Sequence, residues 1–489
     1  MPPIPVLKST VSVAPDPTRV IARRFEPGGA TSSLSSDRVD RIVARLVALP
    51  EAEVSTALAS LRARFADRHK DLRADFEENF ASVASRIEDT AALSSEQLLL
   101  IGAYFTHEYA IEAAALSNPS IVVAPDQDGL QVGETRFVMS LRAIGEGHMS
   151  SIEFRSGVVD AAGNVEVDAP SQFVGTARHQ TPIYDRALFS TKLTELRAYG
   201  PSAAAVLERL PDHFTLQQLE TEIRRVNSES DSDVEGARMT RTLHWLASSN
   251  YESSFSAESL LSERVLFPSA PAESCGMEDA RFVRFTREDD SVVYFAPYTA
   301  YDGYQILPQL IETTDFVTFR MATLNGACAT NKGIALFPRK IDGRYAALAR
   351  LDNENNFLMY ADDVRFWHEA ELLQTPQAPW ELIQIGNGGS PMETEAGWLV
   401  ITHGVGAMRQ YALGALLLDL EDPSRVIGHL SEPLLQAADD ERDGYVPNVV
   451  YSCGSIIVGD HLVLPYGFSD VGTRIATVSV DDLIARLVA

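Results

Sequence analysis

The sequence predicts a mainly β protein: a five-bladed β-propeller with an N-terminal α-helical extension and a helical insertion. Three observations predict it. After Pro119 the chain breaks into short β-branched and aromatic runs separated by turn residues, among them TRFVMSLRAI, SSIEFRSGVVD, DSVVYFAPYTA, RYAALARL, GWLVITHGV and DHLVLPYGF. Turns between such runs recur, with Asp289, Asp342, Ala396 and Gly459 spaced 53, 54 and 63 residues apart, the length of one multi-stranded propeller unit. Helical three- and four-residue periodicity is confined to residues before 117 and to a stretch at about 200–250.

Taken in order, residues 1–36 are rich in Pro, Ser and Gly and read as an extended arm. From Asp37, apolar residues such as Ile42, Leu46, Val54, Leu58, Phe76 and Phe80 fall at helical spacing, so 37–117 reads as a helical extension. Ser94 to Gln97 has capping-box form and opens a helix from Leu98 to Leu116, which Ser117-Asn118-Pro119 stops. Residues 118–489 read as the propeller. An earlier turn, Ala162-Gly163, lies 127 residues before Asp289, about two units. Capping boxes at Thr215–Gln218 and Ser232–Glu235 open helices inside that gap. Subtracting this insertion leaves one blade and brings the count to five. The apolar faces of both helical regions show no core of their own, so they either cover one side of the mouth or form a subunit interface in a homo-oligomer.

Composition narrows the functions. Of 489 residues, 45% are apolar and 22% charged, an ordinary globular balance long enough for several domains. The net charge of −27 repels phosphate backbones and anionic bilayers, so neither nucleic acid nor membrane is expected as a partner. Three scattered cysteines, with no CxxC or HExxH, support neither a disulfide framework nor a zinc site and suit a reducing cytoplasm. No apolar run is long enough for a signal sequence or a membrane span. GxxxxGK[ST] and GxSxG are absent, and Gly386-Asn387-Gly388-Gly389, with no helical pattern after it, reads as a loop.

The chemistry-bearing candidates are few. In Gly276-Met277-Glu278-Asp279-Ala280-Arg281-Phe282, strand alternation puts Glu278 and Ala280 on one face and Asp279 and Arg281 on the other. A surface ion pair is the plainer reading of that motif. Lys332, Arg350 and His403 fall at equivalent ends of successive units, where converging basic groups can hold an oxyanion in a propeller's central channel. Singly, they read as a solvated lysine, an arginine paired with Asp352 and a satisfied strand-end histidine.

Together the segments GMEDARF, KGIALFPRKIDGRYAALAR, METEAGWLVITHGV, YALGALLLDLEDPSRVI, GYVPNVVYSCG and LPYGFSD resemble glycoside hydrolase family 130, the mannoside phosphorylases and related β-mannosidases. The likeness runs from about residue 276 to 470 and reaches weakly back to Asn118-Pro119; the helical region before 117 lies outside it. It implies a five-bladed propeller acting on β-linked mannosides with inversion, with inorganic phosphate as co-substrate and no cofactor or metal. Asp279 falls on the proton donor, acting through a sugar hydroxyl. Arg350 and His403, with Lys332 and Tyr411, match phosphate-binding positions. Asp470 and Arg142 would hold the terminal mannose, with Asn118, Glu278 and Arg281 as further substrate contacts.

This chain departs from the pattern at Ala280, where a proline is usual, at Gly333, where an asparagine is common, and at Glu393, where some phosphorylases carry a basic residue. A phosphate nucleophile needs one acid plus positioning cations, whereas an inverting hydrolase needs a second carboxylate to activate water. Glu393 or Glu395 would be that base in a β-mannosidase, but the retained Arg350 and His403 favour phosphorolysis. The leading expectation is a cytoplasmic β-mannoside phosphorylase releasing α-mannose 1-phosphate. The alternatives are the β-mannosidase and a non-catalytic sugar-binding propeller in which Asp279 only hydrogen-bonds its ligand.

Overall fold

The computed structural model describes residues 4–25, 27, 33–180, 182–229 and 233–487. The protein is mainly β, with helices gathered before residue 105, between 186 and 248, and at Val480–Leu487. Its sheets are antiparallel meanders. One contains Lys332–Leu336, Tyr345–Arg350, Asn356–Ala361 and Glu369–Gln374 in that order. The next is built on Gly397–Val405 and Tyr411–Leu418, with Gln384–Asn387 on its inner side. The last is built on His461–Phe468 and Gly472–Ser479, and Leu7–Val13 adds its outer strand from the other end of the chain. A thirteen-stranded sheet holds two further meanders, Ala115–Val123 to Val165–Val167 and Gly276–Glu278 to Thr318–Thr323, joined by the parallel contact of Gly276 with Ser150, while the short strand Arg264–Leu266 adds to Ser150–Val159.

Period-two alternation explains how these sheets pack. Along Gly397–Val405, Trp398 and Val400 enter a cluster with Phe337, Leu348 and Leu358 of the preceding sheet, while Leu399 and Ile401 join Leu464, Tyr466 and Ala476 of the following one. Along Val292–Tyr301, Tyr294 and Ala296 face Phe154 and Val138, whereas Val293 and Phe295 face Ile334 and Met359. The last sheet meets the first through Val463 and Ile475 against Phe137 and Met139. Middle strands are thus buried on both faces, which is why they read as near-continuous apolar runs.

The N-terminal helices Ser33–Val47, Glu51–Phe65, Leu72–Ala81 and Ser95–Tyr104 enclose a core of Val54, Leu58, Phe76, Leu100 and Ile101. The insertion encloses a second, with Leu193, Val206, Phe214, Leu219 and Leu243. Both regions therefore have cores of their own, which corrects the expectation that their apolar faces lack one and removes its reason for a subunit interface. The capping boxes at Ser94–Gln97 and Thr215–Gln218 form, each through reciprocal side-chain and backbone bonds. The one at Ser232–Glu235 falls outside the described residues.

Two readings are corrected. The helix opened by Ser94 ends at Tyr104, and Thr106–Ala110 and Ala115–Val123 are strands, so Pro119 lies within a strand and stops no helix. A bulge between Ser117 and Ser120 accommodates the missing proline N–H. Within the extended arm, Leu7–Val13 pairs with Gly472–Ser479, and Val20–Arg24 pairs with Thr106–Ala110. Ala162-Gly163 joins the third and fourth strands of its meander, whereas the four later turns each lead into a middle strand, so it is not their equivalent.

Candidate active site

The candidate residues enter from the same end of the sheets. Each meander's second strand ends there, bringing Arg142, Arg350 and His403, and the next strand starts there, bringing Tyr411. Of the fourteen described non-glycine residues with positive φ, ten lie at this end: Asn118, His148, Asp279, Asn331, Asn353, Met408, Arg409, Asn448, Ser469 and Asp470. Left-handed backbone costs about 1–3 kcal/mol per such residue and gathers where geometry has a use.

Asp279 follows the last residue of the strand Gly276–Glu278 at φ 55°. Strand alternation stops at that residue, so the expected pairing of Asp279 with Arg281 on one strand face is replaced by a turn into the site. The Asp279 carboxylate accepts a hydrogen bond from Asn118. Glu278 accepts from Arg142 Nη2 at 2.6 Å on one oxygen and from Lys332 Nζ at 2.6 Å on the other. Burial would raise the pKa of Asp279, but Lys332, Arg142, Arg281 and the Asn118 hydrogen bond outweigh it and hold the carboxyl below its usual range. Asp470, in the turn after His461–Phe468, is shifted the other way. Burial raises it, and Asp279 and Glu278 add to this against the opposing pull of Arg142 and Arg409.

Beneath this carboxylate group lies a buried basic layer. Arg281, only 1% exposed, donates to the Asn387 carbonyl at 3.0 Å, to Asn387 Oδ1 at 2.7 Å and to the Tyr451 hydroxyl at 2.7 Å. His403 Nδ1 lies 3.0 Å from the same Asn387 carbonyl, so that nitrogen carries the proton. Its Nε2 then accepts from Arg350 Nη1 at 3.2 Å. Burial, then Arg350 and Arg281, push His403 far below the ordinary imidazole range, keeping it neutral. Arg350 does not pair with Asp352, whose carboxylate bonds to Glu354 and Asn355 instead. Among the described residues Arg350 has no carboxylate partner, and its Nε is buried without a hydrogen bond. Tyr411 stacks over His403 at 6.4 Å, and Tyr451 meets the same ring edge-on at 4.8 Å.

Glu393 and Glu395 are elsewhere. Glu393 grips Arg339 at 2.8 and 2.9 Å on the surface, and Glu395 sits exposed in the following turn. Glu393 pairs with Trp398, five residues before His403, which separates them by roughly 17 Å of strand. Neither can serve as base at this site.

Asn387 and Tyr451 were missed by sequence reasoning. Gly386-Asn387-Gly388-Gly389 is not a loop throughout: Gln384–Asn387 is a strand. Its glycines mark close approach, since a Cβ on Gly386 would lie 2.7 Å from the His403 ring and one on Gly389 2.5 Å from the Gly454 backbone.

The sequence pattern of a family described as beta-1,4-mannooligosaccharide phosphorylase matches residues 247–488, a span containing Asp279, Arg350, His403 and Asp470. A 1,2-beta-oligomannan phosphorylase of Thermoanaerobacter sp. (strain X514) is 32% identical over 230 residues, 46% of this chain and 75% of that protein. A beta-1,2-mannobiose phosphorylase of Listeria innocua is 30% identical over 289 residues, 55% of this chain and 79% of that protein. A solved structure of beta-1,2-mannobiose phosphorylase from Listeria innocua, in complex with beta-1,2-mannobiose, superposes with a TM-score of 0.46 at 20% identity, over 78% of this chain and 93% of that one. With such identity extending over three quarters of these relatives, the chain belongs to glycoside hydrolase family 130.

Proposed function

We propose that the protein is an inverting phosphorylase that cleaves β-mannosides with inorganic phosphate to give α-mannose 1-phosphate and a free sugar. The observation that carries this reading is Arg350, a half-buried cation with no carboxylate partner among the described residues, donating to a histidine held neutral. Such a group is an oxyanion site. Phosphate held there attacks the anomeric carbon of the mannosyl unit while the bond to the glycosidic oxygen breaks on the opposite face. The proton from Asp279 passes to that oxygen through a sugar hydroxyl, and the departing sugar leaves with a new hydroxyl. Lys332 and Tyr411 flank the phosphate, Arg142 and Asp470 hold the terminal mannose, and Asn118, Glu278 and Arg281 fix the acid and its surroundings. The position of Glu393 and Glu395 at the far end of their hairpin counts against hydrolysis by those residues.

The same reading makes the sheets the blades of a five-bladed propeller. The thirteen-stranded sheet resolves into two meanders, and each of the resulting five packs on the next, with the last on the first. The chain from Ala115 onward, with Leu7–Val13, would form this catalytic domain, with the helices between Ser33 and Tyr104 as an appended unit and the insertion as a second. A reducing, cytoplasmic setting is supported by Cys275, Cys328 and Cys453, all free.

Arg350→Ala tests the phosphate site. We expect the KM for phosphate to rise by more than tenfold with the melting temperature retained, since a charge-assisted contact is worth about 1.5–3 kcal/mol. An unchanged KM for phosphate would remove the assignment.

A further inference from the structure

Two exposed rings from different sheets stack on each other at the site end of the molecule. His148, in the loop between Thr135–Ile144 and Ser150–Val159, lies parallel to Tyr445 at 5.4 Å and 23°. Tyr445 remains 62% exposed, which leaves ring surface open to solvent. Neither ring takes part in the acid or phosphate machinery described above.

Both loops are held rigidly. Gly147 and His148 have φ of 69° and 62°, and the Gly145 N–H donates to the Met149 carbonyl at 3.0 Å across the loop. The Tyr109 hydroxyl, on the N-terminal ribbon formed by Val20–Arg24 and Thr106–Ala110, donates to the Glu146 carbonyl at 2.8 Å, and Arg23 lies over the Tyr109 and Phe267 rings at 4.9 and 4.6 Å. On the other side, the Val446 N–H donates to the Ser469 carbonyl at 3.1 Å, and Arg442 Nε donates to Asn448 Oδ1 at 2.9 Å. Tyr445 is therefore tied to the turn that carries Asp470, and His148 sits six residues after Arg142, in the loop that follows its strand. The stack is thus carried by the loop that follows the strand of Arg142 and by a segment bonded to the turn of Asp470.

The chemistry then fixes what can meet it. In an inverting displacement the nucleophile and the leaving group occupy opposite faces of the reacting carbon. The phosphate site, Arg350 with His403, borders a deep layer in which His403 and Arg281 are 2% and 1% exposed, so phosphate bound there directs the leaving sugar outward, toward the rim. A pyranose presents an apolar C–H face, which a flat aromatic surface accepts.

We propose that the His148–Tyr445 stack is the platform for the sugar on the leaving-group side of the bond, and that the N-terminal ribbon positions it through Tyr109. This rests on the phosphorylase reading. It makes the pair a determinant of acceptor choice and gives the N-terminal segment a part in specificity.

Synthesis from α-mannose 1-phosphate and an acceptor sugar separates the two ends of the site. With mannose and β-linked mannobiose as acceptors, Tyr445→Ala should raise the acceptor KM by about five- to tenfold, with the KM for α-mannose 1-phosphate within about twofold and the melting temperature retained. Tyr445→Phe, which keeps the ring, should restore the parent value. An unchanged acceptor KM, or an equal rise in both KM values, would overturn the proposal. Saturation-transfer NMR with β-1,2- and β-1,4-mannobiose serves if the parent shows no turnover, an outcome that would defeat the phosphorylase reading. Contacts to the reducing-end ring that vanish in Tyr445→Ala would still uphold the platform. Contacts that persist in the variant, or no contacts in the parent, would overturn it.

Discussion

At Asp279 burial and charge pull in opposite directions, and charge prevails. The free protein therefore holds it as a carboxylate, accepting from Asn118. A donor must first gain a proton, and a bound phosphate, by opposing the field of Lys332 and Arg281, supplies the electrostatic reason for it to do so. Asp279→Asn should lower kcat on a mannosyl disaccharide by about 10²–10⁴-fold. An aryl β-mannoside, whose leaving group needs little protonation, should lose much less, and steady-state kinetics on the two substrates checks the difference. His403 supplies the pH prediction. Its folded pKa lies below the ordinary value of 6.5, so between the two the unfolded chain binds more protons than the folded one. This contribution is complete above 6.5 and is lost as pH falls toward the folded value. Denaturant unfolding between pH 7 and pH 5 should show stability falling, and less steeply in His403→Gln.

The strand Gln384–Asn387 shows how an element builds the site. Its Asn387 carbonyl accepts from both Arg281 and His403, and the Asn387 amide donates to the Gly333 carbonyl at 2.7 Å, so one residue sets a guanidinium and a neutral imidazole and ties two sheets. The glycines around it keep the backbones close. Gly386→Ala should push the His403 ring away from Arg350 and raise the KM for phosphate with the fold retained. Gly389→Ala meets backbone at φ 135° and should cost about 2 kcal/mol or more, read from the denaturation midpoint. Gly333, at φ 87°, occupies left-handed backbone that glycine adopts without strain.

Legibility followed periodicity. The middle strands were readable because alternate residues feed two cores, leaving runs such as VVYFAPYTAY with scarcely a polar break. Asp279 and Arg350 were readable only through their motifs. Asn387 and Tyr451 were not, because their roles arise from contacts across more than 100 residues with Arg281, which no local spacing encodes. Glu393 misled because proximity in sequence to a site segment says nothing about which end of a hairpin a residue occupies.

Across the whole molecule, the N-terminal segment is fastened at two places. Leu7–Val13 pairs with Gly472–Ser479, joining one end of the chain to the other. Arg19 bonds Glu112 at 2.6 Å and Glu153 at 2.8 Å, and Arg155 bonds Glu112 at 2.7 Å, all with side chains 2% exposed or less. Breaking such a group leaves buried carboxylates short of a partner, so Arg19→Met should destabilise the protein by about 3–5 kcal/mol in chemical denaturation. Its effect on the site should be secondary, carried through the ribbon that supports the loop with His148.

The central claim is phosphorolysis, and it is tested most directly by incubating the protein with β-1,2- and β-1,4-linked manno-oligosaccharides with and without inorganic phosphate, and following the products by NMR. We expect α-mannose 1-phosphate in the presence of phosphate and no sugar release in its absence. Free mannose formed equally well without phosphate would contradict the claim.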